Sequence, residues 1–301
     1  MSPVRFRFPY QRGKIVTFDK RTEISQKRWL SAHKIEEAAL ESAEDIMEFL
    51  RLRRHTWASL VGLLKGDIAF DSSKRVLDIG CGPTSIFLAL SGGKKYVVDP
   101  TLERLFQLHP FVREVEEYRD VNFVSRPIEE TIFDQQFDLI FTINALDHVG
   151  ALKPVVDKID ELLAPGGILV IIVDCYADRT VRNIMSFFDV DLPHPHHFIA
   201  EDITRIFSAY QLKKQDNNVV EIFNACPFRG KRREIKIYRL DKFVVLMWQV
   251  LKNQGKQRDI IFTAKYILCY SLALLMAALR RREKQIYPLK KARLFVFQKG
   301  N

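Results

Sequence analysis

Five short apolar runs, RVLDIG, KKYVVD, NFVS, FDLIFTI and GILVIIVD, alternate with mixed polar and apolar stretches between positions 75 and 174. Their β-branched, nearly unbroken apolar character suits strands covered on both faces. Strands of that kind, separated by helix-length segments, form a parallel sheet, because a crossover is needed to bring the chain back to the same end. The expected fold class is therefore α/β: a doubly wound, Rossmann-like, mostly parallel sheet. Its right-handed crossovers open a crevice at the carboxyl ends of the strands.

The rest of the chain is organised around that core. Before it, residues 22–65 carry apolar positions near helical spacing among charges and read as two or three helices. A polar linker with Gly66, Asp67 and Asp71-Ser72-Ser73 follows. After Asp174 come a loop containing DVDLPHPHHF, a helix around EDITRIFSAY and a further strand near 211–223. The boundaries expected are an N-terminal helical cap at 1–70, the core at 71–223, a basic and partly apolar helical insertion at 224–291, and a final core strand at 292–301. The N-terminus lacks the apolar run of a secretory signal, which points to a cytoplasmic protein. Four cysteines without paired spacing argue against a disulfide framework and against a zinc site.

The first strand ends in Gly80-Cys81-Gly82, where two glycines let the backbone turn sharply and a ligand approach without meeting a side chain. A helix beginning near Pro83 would offer its amides to a carboxylate or phosphate. The second strand ends in Asp99, seventeen residues after Gly82, where a carboxylate can accept both hydroxyl protons of a ribose or stand as a solvated turn residue before Pro100. Nicotinamide cofactors and S-adenosylmethionine both satisfy that pattern. The third glycine of the dinucleotide fingerprint is missing, with Ser85 in its place.

Four blocks, DIGCG at 78–82, VVD at 97–99, FDLIFTINALDHV at 137–149 and LLAPGGILVI at 162–171, resemble in order and spacing the class I S-adenosylmethionine-dependent methyltransferase family. The resemblance implies S-adenosylmethionine as cofactor. It implies that Asp78 orders the loop and the donor's amino group, that Gly80 and Gly82 line the methionine, and that Asp99 holds the ribose. Adenine would sit against Ile128. Pro127 stands where an acidic residue often receives the adenine amine, so Glu129 or the Ile128 amide takes that part. Asn144 would face the sulfonium, or else cap a helix carrying Ala145 to Val149. His148, one turn on, either acts as a base or packs under that helix. In the PHPHHF cluster, one histidine, His197 above the others, would deprotonate an acceptor hydroxyl, against the alternative of a plain polar loop. Adjacent histidines on a proline-rich loop do not easily face one ion, so no metal is expected from His194, His196 and His197 with Asp189 and Asp191.

Two features bear on the acceptor. Residues 211–301 hold 21 Lys and Arg against 6 Asp and Glu, an excess of +15 in a chain of net charge +10. Residues 260–279 are apolar but for Lys265, and Arg280 to Arg282 follow. Twenty residues match a bilayer crossing, yet a strand returning at 293–298 would leave the two ends of a span on opposite sides. A lid over the pocket or a helix lying at a membrane surface through 260–284 fits better, with the protein peripheral at the inner membrane surface in the second case. The Asn-Pro-Pro-aromatic tetrad typical of many amine methylators is absent after Ile143. The reading is thus methyl transfer to oxygen or carbon of a small, hydrophobic or lipid-linked acceptor. The alternatives are an RNA methyltransferase using the basic third, with nucleic acid the weaker partner for want of an RNA-binding module, and a non-catalytic S-adenosylmethionine-binding scaffold.

Overall fold

A computed structural model describes residues 24–41, 46–188, 191, 194–217, 219, 222, 265, 268, 271–272 and 290–301. Two helices, α1 (Gln26–Glu41) and α2 (Ile46–Leu64), precede the sheet. Then follow β1 (Arg75–Ile79), β2 (Lys94–Val98), α3 (Leu102–Leu108), β3 (Val121–Val124), β4 (Phe137–Ile143), α4 (Leu152–Leu162) and β5 (Leu163–Tyr176). The described chain continues with α5 (Arg179–Phe188), α6 (Ala200–Ile206), β6 (Gln211–Asp216) and β7 (Lys290–Gln298). The strand order is β3-β2-β1-β4-β5-β7-β6. The first five strands run parallel, and β7 lies antiparallel between β5 and β6. The order reverses between β1 and β4, which is where an open α/β sheet leaves its crevice.

The period of two along each strand divides the core. Val76, Val97, Leu139, Phe141, Val170, Ile172, Leu294 and Val296 face one side, where Leu50, Trp57, Leu60 and Leu64 of α2 cover them. Leu77, Ile79, Val98, Ile140, Leu169, Ile171, Phe295 and Phe297 face the other, under Val155, Ile159 and Leu162 of α4 and Ile203 of α6. Burial on both faces is what the unbroken apolar runs required. The carbonyls at the end of α4 are satisfied from the far end of the chain, since the Lys299 ammonium donates to Asp160 and Leu163 oxygens.

Two expectations need correction. No α-helix follows Gly82; the connection to β2 holds a single 3-10 turn, Ile86–Leu88. All three of its residues are buried, so there is no amphipathic stripe to extend, and Gly92 and Gly93, at φ of 81° and 77°, turn the chain back at once. The sheet face that such a helix would cover is occupied by α2. The sixth strand stops at Asp216 instead of reaching 223, and Val219 and Ile222 are helical.

The apolar stretch 260–279 and the basic run before it lie outside the described residues, apart from the four helical positions 265, 268, 271 and 272. Among the described residues no helix is long and apolar enough to cross a membrane.

Candidate active site at the strand ends

Register brings three strand ends level, because Ile79 pairs with both Val98 and Thr142. The next residues, Gly80, Asp99 and Ile143-Asn144, therefore share the crevice mouth. Gly80 N donates to Val98 O at 2.8 Å and Asn144 N to Ile172 O at 2.7 Å. Gly80 and Gly82 have φ of 71° and 57°, a region that disfavours other residues. Their surroundings differ: a Cβ on Gly80 would come 2.4 Å from Ala145 Cβ, whereas one on Gly82 would meet nothing within 4 Å. Gly80 is thus packed beneath the turn after β4, and Gly82 faces open space.

Two buried carboxylates hold this loop. Asp78 accepts from Ser85 Oγ at 2.6 Å and from Ile86 N at 3.3 Å. Ser85 N in turn donates to the Tyr118 hydroxyl at 2.8 Å. Burial, reinforced by the nearby Asp99 charge and opposed by those hydrogen bonds, pushes the Asp78 carboxyl up to about 7. Asp99 accepts from Gly82 N at 2.8 Å through Oδ2, and through Oδ1 from Thr101 N at 2.7 Å and Thr101 Oγ1 at 2.6 Å. Its alternative reading as a solvated turn residue does not hold, because it is buried. Oδ1 has both lone-pair directions taken, and Oδ2 keeps one for a ligand hydroxyl.

Ile128 is buried in the 3-10 turn Ile128–Glu130, against the side of the core that contains Ile79 and Val98. Beside it Glu129 is partly buried, which raises its carboxyl above the ordinary value. Asn144 is exposed and, at φ of 51°, is the one described residue other than glycine in the left-handed region. Residues 146–148 form a turn and the next helix starts at Leu152, so Asn144 does not cap a helix. Strain of this kind persists where surrounding contacts over-determine it.

The histidines separate into distinct environments. His197 Nδ1 lies 2.7 Å from Ser186 Oγ on α5, and its ring meets Tyr176 edge-on at 5.4 Å. His196 is buried; its Nε2 donates to Val149 O at 2.8 Å, and burial holds it down to about 4, so it is neutral. His194 turns the opposite way, toward His148, with ring centroids 4.8 Å apart. His194 Nε2 is 3.9 Å from Asp147 Oδ2, and His148 Nε2 is 3.7 Å from Asp147 Oδ1.

This group is anchored by Asp191, named with the histidine cluster, and by Tyr176, Lys290, Trp29 and Arg28, which the motifs did not single out. Asp191 accepts from His194 Nδ1 at 2.6 Å, from the Tyr176 hydroxyl at 2.6 Å and from Lys290 Nζ at 3.0 Å. Those three donors outweigh its burial and hold it well below the usual carboxylate range. Lys290 also lies 3.2 Å from Asp174 at the end of β5. Helix α1 reaches the same place, where Trp29 Nε1 donates to His148 O at 3.0 Å and Arg28 Nη2 to Asp191 O at 2.7 Å. Trp29 also stacks on His33, whereas Trp57 is buried in the core. The Asp147-His148 dipeptide was a visible signal in the sequence. Its meeting with His194 was not, since the two segments join only in the fold.

The family model described as "Methyltransferase domain" matches residues 49–216. A curated relative, malonyl-[acyl-carrier protein] O-methyltransferase 2 of Ilyobacter polytropus, is 26% identical over 167 residues, 53% of this chain and 61% of that protein. The match thus spans under two thirds of the relative's length. Among solved structures, the YcgJ protein of Bacillus subtilis superposes with a TM-score of 0.50 at 17% identity, covering 80% of this chain and 98% of that one. The [4+2]-cyclase SpnF gives 0.51 at 14% identity, over 81% and 80%. The Haemonchus contortus phosphoethanolamine N-methyltransferase 2, solved with phosphomonomethylethanolamine and S-adenosylhomocysteine, gives 0.50 at 16% identity, over 81% and 53%. At such identities these structures establish a shared fold.

Proposed function

We propose that this chain, which belongs to the methyltransferase-domain family, is an S-adenosylmethionine-dependent methyltransferase that methylates an oxygen or carbon of a small, hydrophobic or lipid-linked acceptor. The observation that carries the reading is the cradle at the strand ends. Gly82 opens onto free space, its amide is tied to Asp99, and Asn144 follows the neighbouring strand end in the left-handed region. These residues fit the cofactor: an opening that a single Cβ would obstruct, a carboxylate with one free lone pair for a ribose hydroxyl, and a neutral amide for a cationic sulfur. When bound, S-adenosylmethionine supplies a methyl group activated by a positively charged sulfur.

In this reading Asp78 and the Gly80–Gly82 loop hold the methionine end, Asp99 the ribose, and Ile128 with Glu129 the adenine. Asn144 orients the sulfonium. His197 takes the proton that an acceptor hydroxyl gives up as its oxygen bonds to carbon, and His148 is the second candidate for that role. Alignment supplies much of the rate, since effective molarities on the order of 10⁵ M are reached by well-oriented reactants. Support for oxygen comes from the missing tetrad after Ile143 and from the partial match to an O-methyltransferase. Support for an apolar acceptor comes from Phe187, 83% exposed on α5 next to the serine that meets His197. The local charge of +15 favours RNA as the second reading.

Incubation with a methyl-labelled donor and, separately, lipid extract, phenolic small molecules and total RNA tests the proposal. Label in the lipid or phenol fraction is expected, and label in RNA alone would replace the acceptor class. His197→Asn should lower kcat and leave S-adenosylhomocysteine affinity unchanged.

A further inference from the structure

We propose that Asp147, His148 and His194 form a binding site for a divalent transition-metal ion of the zinc class, on the acceptor side of the methyl donor. The proposal deepens the functional reading above and rests on it for the ion's role.

The three side chains bring one carboxylate and two imidazoles together, with their donor atoms within 4.8 Å of one another. Two nitrogens and one carboxylate oxygen are the donor set of zinc and of ferrous, manganous or cobaltous ions, whereas calcium and magnesium prefer oxygen alone. Ligands at 2.0–2.1 Å in a tetrahedral arrangement stand about 3.3 Å apart, so loading draws the side chains in by roughly an ångström. His148 stands on the turn after β4, and a change in its side-chain torsions can supply that movement.

Independent features point to an ion. The Asp147 side chain is 2% exposed, and its Oδ1 has no hydrogen-bond partner among the described residues. A buried carboxylate oxygen left in that state is costly, and a cation removes the cost. His194 is already oriented as a ligand: Asp191 takes Nδ1, which turns Nε2 toward Asp147. A carboxylate behind a histidine fixes its tautomer and raises its basicity at metal centres. Asp191 is itself held by Tyr176 and Lys290, so the orientation is built into the ends of β5 and β7.

Position gives the ion its use. Ala145, whose Cβ confronts Gly80, accepts a hydrogen bond from His148 N at 3.0 Å, so the trio begins one turn from the donor cradle. Three protein ligands leave a coordination position open. An acceptor hydroxyl held there would give up its proton more readily, to His197 in the reading above, and its oxygen would bond to the methyl carbon as the carbon–sulfur bond breaks and S-adenosylhomocysteine leaves.

The chelator-treated full chain is titrated with Co²⁺, followed by visible ligand-field absorption, with Zn²⁺ as competitor. S-adenosylhomocysteine binding is measured on the same samples by calorimetry. One equivalent of Co²⁺ displaced by Zn²⁺ is expected. Asp147→Asn, His148→Asn and His194→Asn should each weaken Co²⁺ at least about tenfold, and Asp191→Asn about 10–100-fold. His55→Asn, on the exposed face of α2, should bind as the parent does. If Asp147→Asn fails to fold, the two histidine variants decide, with retained S-adenosylhomocysteine binding as the check on folding. A chain that binds S-adenosylhomocysteine but takes up no Co²⁺, or takes it up equally after His194→Asn and His148→Asn, overturns the metal site. Co²⁺ uptake through these residues without any S-adenosylhomocysteine binding would uphold the site and sink the donor reading instead.

Discussion

Replacing Gly82 by alanine separates the cost of a backbone conformation from the cost of filling a ligand's space. At φ of 57° an L residue loses roughly 1–2 kcal/mol. The new methyl meets nothing within 4 Å, so no packing penalty adds to it. In a domain of this size each kcal/mol lowers the melting temperature by about 2–4 °C, which puts the variant about 2–8 °C below the parent. Gly80→Ala pairs the same conformational penalty with a 2.4 Å approach to Ala145 Cβ. Overpacking of that order adds about 1–3 kcal/mol, so Gly80→Ala should melt well below Gly82→Ala. Ligand binding should rank the other way relative to stability. Gly82→Ala stays folded, yet its methyl occupies the cradle, and S-adenosylhomocysteine affinity should fall at least tenfold, about 1.4 kcal/mol. Thermal melting by circular dichroism and titration calorimetry on both variants check the two halves. A Gly82→Ala protein that melts as expected and binds with parental affinity would refute the assignment of that space to the donor.

Asp78 makes donor binding depend on pH. Its carboxyl sits near 7 in the ligand-free protein, above its ordinary value, so the native state holds a proton that the unfolded chain releases near 4. The stability from that proton is complete below about pH 4 and is lost as pH rises through about 7. A donor ammonium beside Asp78 favours the carboxylate, so calorimetry should find affinity rising up to about pH 7 and level above it, with the slope abolished by Asp78→Asn. Lys290→Met removes the cation that lies between the Asp174 and Asp191 carboxylates and should cost up to about 3 kcal/mol in denaturant unfolding at neutral pH. The deficit should shrink in acid as the Asp191 carboxylate takes up a proton; a deficit independent of pH would mean that lost packing, not charge, is responsible.

What could be read from the sequence follows from the range of the interactions involved. The five parallel strands were legible because burial on two faces leaves a local record in unbroken runs such as LIFTI and ILVIIV. The level ends of β1, β2 and β4, and with them Gly80, Gly82, Asp99 and Asn144, follow from that order and the motif spacing. The helix expected after Gly82 failed because its start is captured by Asp78 and by Tyr118, thirty-three residues beyond Ser85. Nothing local records that capture. Similarly, PHPHHF announces three histidines but not their directions, which are set by Val149 for His196, Ser186 for His197 and Asp191 for His194. Lys290 meets Asp191 across ninety-nine positions, a pairing that only the antiparallel seventh strand creates.

That seventh strand also dictates a timetable for synthesis. β6 pairs with β7, and β7 must slot in beside β5, so the described part of the sheet waits for residues 290–298 to leave the ribosome. At 5–20 residues per second the stretch after Asp216 takes roughly 4–16 s to emerge. Throughout that interval the Ile168–Val173 edge, apolar on both faces, stands open as a template for neighbouring nascent chains. Yield in cells should therefore depend on chaperone supply and on growth temperature more steeply than the finished protein's resistance to heat would suggest.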